Sequence, residues 1–285
     1  MKEFIINIFR GMVIGLANII PGVSGGTMMV SMGIYDKLIM LLTHFIKKFK
    51  EAVKLLIPLA IGMLLAIAVL SKVITKMFEQ IPLQTTLLFI GLIIGGLPVI
   101  FKRVKGKKVG VPQVIAFAVF FVMVVGLAMM GEGESASADI TLNFMNIVML
   151  VFVGIIAAAS MVIPGISGSM IMMILGYYTV IIGTISGFID ALKAMDMAAI
   201  MSACGVLIPF GIGVLVGVVA VAKLIEFVLS KYEQTAFWGI IGLIVASPFA
   251  ILIMMGSVTI NFVNVITGIL MLAVGFVVAM KLGGE

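Results

Sequence analysis

Two short stretches carry the residue types that could bind a ligand or react with one: Pro21-Gly22-Val23-Ser24-Gly25-Gly26-Thr27 and Pro164-Gly165-Ile166-Ser167-Gly168-Ser169. In each, the proline ends an incoming helix, the glycines permit a tight reversal with exposed backbone, and the serine is placed to cap an outgoing helix. The first N–H groups of such a helix have no partner within it and lie at the positive end of its dipole, which is the chemistry of an anion site. Ser24, Gly25, Gly26, Thr27, Ser167, Gly168 and Ser169 are therefore the candidate groups for a phosphate or carboxylate, and Pro21, Gly22, Pro164 and Gly165 the candidate helix breakers. The plainer alternative is that Ser and Gly satisfy a helix break and allow close packing. Gly22-Val23-Ser24-Gly25 also fits the G-x-S-G pattern of an intramembrane serine protease, whose serine needs a base within hydrogen-bond reach. His44, the one histidine, lies 20 residues further on, roughly 30 Å along a helix, so no catalytic residue is expected.

The elements that must position these turns follow from composition. Of 285 residues, 63% are hydrophobic and 11% charged, against roughly 45–50% and about 25% in a soluble domain. Apolar stretches long enough to cross a bilayer recur along the whole chain, so the protein is an all-α polytopic membrane protein. One cysteine, Cys204, and one histidine exclude an internal disulfide, a cysteine zinc cluster and a multi-histidine site. No cofactor or metal is expected. Spans are expected at 55–71, 84–101, 111–130, 201–222, 236–255 and 262–280. Residues 4–42 and 145–182 are too long for one crossing, and each is broken at its middle by Pro-Gly. Each reads as a re-entrant helical hairpin with its turn at membrane depth, the competing reading being a kinked full crossing. The basic N-terminal segment has no small-residue cleavage site before Pro21 and is expected to be retained.

The lysines and arginines discriminate between these readings. With both hairpins returning to the side they came from, 15 of the 18 basic residues fall on one face, and only Lys72, Lys76 and Lys193 on the other. That face is the cytoplasm, with both termini inside, and the net charge of +6 is a topology signal with no bearing on nucleic acid. The loop at 131–143 then falls outside.

The chain also repeats itself. Residues 11–35 match 154–178 without a gap at a shift of 143, and LIPLAIG at 56–62 recurs as LIPFGIG at 207–213, at a shift of 151. Residues 1–130 and 144–285 are read as two copies joined by the linker 131–143. Each copy is a hairpin plus three spans, and an odd number of spans inverts the second copy, which is the architecture of secondary transporters. No charged residue lies between Asp139 and Asp190, or between Gln234 and Lys281, so an anion held there would rest on backbone dipoles. Near the interfaces, Arg10 is a candidate to meet a lipid phosphate, and Lys72 and Lys223, at equivalent repeat positions, are candidates for headgroup capture or for snorkelling. Glu226, one turn after Lys223, is expected to pair with it.

RGMVIGLANIIPGVSGGT (10–27), VIPGISGSM (162–170), GLIIGGLP (91–98) and GLIVASP (242–248) together resemble the bacterial membrane family first described as domain of unknown function 368 and now assigned as polyprenyl-phosphate (undecaprenyl-phosphate) transporters. The resemblance covers essentially the whole chain. It implies a plasma-membrane flippase returning undecaprenyl phosphate, or a related lipid monophosphate, from the outer to the inner leaflet for reuse in cell-envelope polymer synthesis. An ion-coupled carrier or channel for a small anion is the alternative. The coupling ion and the oligomeric state, homo-oligomer included, stay open.

Overall fold

The computed structural model describes residues 2–19, 24–130, 141, 143–255, 258 and 261–283. Among them the chain is helical: α1 (Lys2–Ile19), α2 (Gly25–Ser31), α3 (Tyr35–Thr43), α4 (Phe49–Leu65), a π-helical stretch (Ala66–Leu70), α5 (Ser71–Gln80), α6 (Pro82–Val104), α7 (Val111–Met130), α8 (Phe144–Val162), α9 (Gly168–Ile174), α10 (Tyr178–Ala194), α11 (Met197–Lys231), α12 (Glu233–Met254) and α13 (Phe262–Gly283). Six are long and apolar enough to cross a membrane: α6, α7, α8, α11, α12 and α13 through Leu282. The protein is an all-helical, multi-pass membrane protein.

The helix boundaries depart from the hydropathy reading in informative ways. The stretch expected as one span at 55–71 is divided among α4, the π turn and α5, because an i→i+5 turn interrupts the regular ladder where the apolar run approaches Lys72. The helix expected over 201–222 runs on to Lys231. Lys223 and Glu226 end the apolar run but are good helix formers, so the backbone continues past them. In the segment 145–182, α8 alone has spanning length; the turn is followed by the seven-residue α9, after which the chain bends by 109° into α10. Gly176, at that bend, has φ +76°, and its repeat equivalent Gly33, between α2 and α3, has φ +68°. Only glycine adopts that left-handed conformation without steric cost. The repeated Gly33 and Gly176 therefore fix where both short arms stop.

The chain forms two compact units. The first holds Met1–Gly131, Ile163–Ser167 and Ala222–Glu285, the second Glu132–Val162 and Gly168–Val221. In the first unit α1 crosses α4 so closely that a Cβ on Gly11 would run into the Leu59 carbonyl, and one on Gly62 into the carbonyl of Ile8. In the second unit α8 crosses α11 the same way, Gly154 against the Phe210 carbonyl and Gly213 against that of Val151. These four pairs are repeat equivalents at shifts of 143 and 151, so the duplication seen in sequence recurs as duplicated packing. Also in the first unit, α6 packs on α13 with Gly91 against the Leu272 carbonyl. Likewise α12 packs on α7 with Gly242 against that of Phe117. Small residues let backbones approach where lipid offers no hydrophobic drive for association.

Gly11→Leu should therefore cost at least about 1–3 kcal/mol through overpacking. Gly126→Leu, at a glycine with open space around it, should leave stability unchanged or raised. Thermal unfolding of the two purified variants in detergent checks this, and equal melting temperatures would contradict it.

Candidate functional site

The first turn enters the described residues at Ser24; Pro21 and Gly22 lie outside them. Ser24 has extended backbone, φ −106° and ψ 132°, and its hydroxyl accepts the Gly26 N–H at 3.2 Å, capping α2. The Gly25 N–H donates to Asn18 Oδ1 of α1 at 3.2 Å. Ser24, Gly25, Gly26 and Thr27 are all buried. Two donors that the sequence left free for an anion are thus held by the chain's own acceptors, and α2, with seven residues, is a single short arm of roughly 10 Å.

The second turn meets the first. The Gly165 N–H donates to the Thr27 hydroxyl at 2.7 Å, with Thr27 fully enclosed and Gly165 at φ +81°. A Cβ on Gly26 would lie 3.1 Å from the Pro164 Cα, so only glycine leaves the two turns their present spacing. Pro164, Gly165 and Ser167 are buried beside this junction. In the second unit, Gly168 is buried and Ser169 half-buried, and a Cβ on Gly168 would come within 2.9 Å of the flexible Met161 side chain. Thr27 has Met170 as its repeat equivalent, so the hydroxyl that joins the turns is supplied by one half alone.

The interfacial candidates are dispersed. Arg10 donates from Nε at 3.1 Å and Nη2 at 2.9 Å to the Leu282 carbonyl, and from Nη1 at 3.2 Å to Asn7. It neutralises the carbonyl end of α13, a contact between positions too far apart in the chain to be foreseen from it. Lys72 falls in α5 and Lys223, exposed, in α11. Glu226 turns to His44, Nδ1 to Oε1 3.4 Å.

A charged cavity of about 280 Å³ escaped the sequence reading altogether. Asp36 and Met40 of α3, Arg103 of α6, Glu226 and Ser230 of α11 and Glu233 of α12 line it. Arg103 Nη2 bonds Asp36 Oδ2 at 2.9 Å, and its guanidinium lies 5.7 Å from the centre of the Phe237 ring. Glu233 has its own partner in Lys107 at 2.9 Å. Desolvation raises the Asp36 carboxyl above its ordinary range; Arg103 opposes the rise and Glu233 adds to it. An apolar groove of about 200 Å³ shares Leu229 with this cavity and reaches Pro164 of the second turn.

Six apolar helices of spanning length among the described residues define a polytopic membrane protein. More narrowly, residues 14–265 match the VCA0040-like family, described as undecaprenyl phosphate translocase-like, and the chain belongs to that family. It is 31% identical over 281 residues to the Polyprenyl-phosphate transporter of Staphylococcus aureus (strain NCTC 8325 / PS 47), covering 98% of this chain and 95% of the relative. Over 253 residues it is 25% identical to the Polyprenyl-phosphate transporter of Vibrio cholerae serotype O1 (strain ATCC 39315 / El Tor Inaba N16961), covering 84% of this chain and 74% of that one. No solved structure matches the chain.

Thr27→Val, isosteric but without the acceptor, should strand the buried Gly165 N–H and destabilise by about 1–3 kcal/mol. Thr27→Ser should keep most of that stability. Amide hydrogen exchange at Gly165 should accelerate in the valine variant alone, and unchanged protection would show that the junction does not depend on this bond.

Proposed function

We propose that the protein is a flippase that returns undecaprenyl phosphate, or a closely related polyprenyl phosphate, from the outer to the inner leaflet of a bacterial plasma membrane, where the lipid re-enters envelope-polymer synthesis. The observation that carries this reading is the match along nearly the whole chain to a relative named as a polyprenyl-phosphate transporter. The phosphate passes the paired turns, using Ser24, Gly25, Gly26 and Thr27 with Ser167, Gly168 and Ser169. A charged phosphate oxygen is a stronger acceptor than the Asn18 amide or the Ser24 hydroxyl and takes over their N–H donors as it arrives. Lys72, on the outer face, serves first capture from the headgroup layer, and Lys223, its repeat equivalent on the cytoplasmic face, meets the headgroup there. The reading includes no catalytic step.

Transport is tested with fluorescent polyprenyl phosphate in proteoliposomes of known orientation, against soluble anions as the competing cargo. Gly25→Val, whose side chain would enter the space of Asn18 Oδ1, 2.6 Å from an added Cβ, should abolish lipid transport in protein that still inserts. Gly168→Val should do the same. Transport of a soluble anion but not the lipid would replace the proposal with the anion-carrier reading.

The same proposal makes the two halves inverted copies with both termini in the cytoplasm. In a Cys204→Ala background, a cysteine replacing Ser137 should react with an impermeant maleimide added outside whole cells, and one replacing Lys105 should not. Labelling in the reverse sense would discard the topology.

A further inference from the structure

We propose that Arg103 is a second phosphate-binding station on the substrate path, occupied in the resting protein by the carboxylate of Asp36, which the incoming phosphate monoester displaces. The inference rests on the lipid-phosphate reading and adds to it a site away from the turns, with the groove beside it taking the first isoprene units of the tail.

Charge accounting around the cavity singles out Arg103. Of the carboxylates that line it, Glu233 is paired with Lys107 at 2.9 Å, and Glu226 lies 3.4 Å from the His44 ring, which is a salt bridge only when that ring is protonated. Asp36 depends on Arg103, and burial already works against its charge. The Arg103 side chain is 56% exposed, so an anion can reach it without opening the fold. A guanidinium presents a planar fork that suits two phosphate oxygens better than one carboxylate oxygen, and a dianionic phosphate offers it more charge than a single carboxylate does. The Phe237 ring lies against the guanidinium, 5.7 Å from its carbon to the ring centre, a cation–π contact.

Shape supplies the second argument. Tyr35 lines both a small cavity at Arg103 and the apolar groove, and Leu229 lines both the groove and the charged cavity. A charged cavity at the Arg103 guanidinium and an apolar groove lined by Ile225, Val228, Ile240 and Pro164 therefore lie side by side, with Tyr35 and Leu229 between them. A free inorganic anion would use only the first part of such a space. A monophosphate on an aliphatic chain uses all of it. The repeat supports a distinct role: Asp36 corresponds to Thr179, and the second-half positions answering to Arg103 are Ile253 and Met254. The pair exists once and is not demanded by the duplicated scaffold. With the proposed topology, Arg103 stands among Lys102, Lys105, Lys107 and Lys108 on the cytoplasmic side, which makes this the release station.

The test uses the full-length protein in detergent and reads the fluorescence of Trp238, its single tryptophan and the neighbour of Phe237, during titration with farnesyl phosphate, farnesol and inorganic phosphate. Wild type should bind farnesyl phosphate far more tightly than either control. Arg103→Gln should weaken farnesyl phosphate about tenfold or more, the loss of a charge-assisted pair. Arg103→Lys, which keeps the charge and folds without the fork, should weaken it by less. Asp36→Asn should tighten it about two- to fivefold, the competition of a half-exposed ion pair being removed. Wild-type affinity in Arg103→Gln, Arg103→Lys and Asp36→Asn alike, with farnesyl phosphate still preferred over farnesol, would overturn the Arg103 station while leaving the transport reading intact. Inorganic phosphate binding as tightly as farnesyl phosphate would overturn the tail groove. No preference for farnesyl phosphate over farnesol in wild type would overturn the lipid-phosphate reading itself, and this inference with it.

Discussion

A helix break inside an apolar protein leaves peptide groups with no water to satisfy them, and the fold has to answer for each one. The bond from the Gly165 N–H to the Thr27 hydroxyl is where this protein does so for the second break, with an acceptor from the helix that follows the first. A buried N–H without that acceptor would cost about 1–3 kcal/mol, comparable to a sizeable share of a domain's net stability. Several other residues become necessary only because of this bond. Gly165 must sit at φ +81° to aim its N–H, Gly26 must lack a side chain for Pro164 to approach, and Ser24 must close α2 so that Thr27 is presented in its first turn. The turns brace one another before they bind anything.

Glycine-mediated crossings recur within each unit. The α1–α4 and α8–α11 contacts use repeat-equivalent glycines against repeat-equivalent carbonyls. The long helices follow a different rule. α6, from the first copy, packs on α13 of the second, and α12 of the second copy packs on α7 of the first. Within the first unit the copies therefore exchange partners, so the final core is built from both copies. Gln84 of α6 adds hydrogen bonds to Asn264 and Thr267 of α13, at 3.2 and 2.9 Å, which fix register along an otherwise apolar seam.

Much of this was legible because it is written in residues with strong local meaning. Pro-Gly followed by Ser-Gly announces a break and a cap, and Gly33 and Gly176 recur where the arms stop. Hydropathy found α7 to the residue at 111–130, since both ends are set by polar or glycine-rich neighbours. It failed at 55–71, where a π turn divides the chain, and at α11, where lysine and glutamate extend a helix that the apolar count had ended. The pairs Asp36–Arg103, Arg10–Leu282 and His44–Glu226 were not legible. Their partners are 67, 272 and 182 residues apart, and one sequence carries no record of which distant charges will meet. Arg103 in particular was counted among topology-setting bases, a role that does not separate it from its lysine neighbours.

The halves are alike in backbone and unlike in chemistry, and that difference bears on direction. A duplicated scaffold with identical sites in both copies would bind an anion equally from either side and would have no structural reason to release it on one. Here Thr27 faces Met170 across the duplication, Asp36 faces Thr179, and Arg103 answers to Ile253 and Met254. Each of the three polar groups belongs to the first copy. A carrier that alternates between two equivalent arrangements of its copies would then meet a guanidinium in only one of them, and the free-energy profile along its path would be uneven at that point. Such unevenness does not drive net transport, because a fixed protein charge stabilises the bound anion whichever way it arrived. What it can do is set where the anion pauses. On the proposed reading, phosphate and the Asp36 carboxylate contend for the same guanidinium, so that pause falls at a single ion pair.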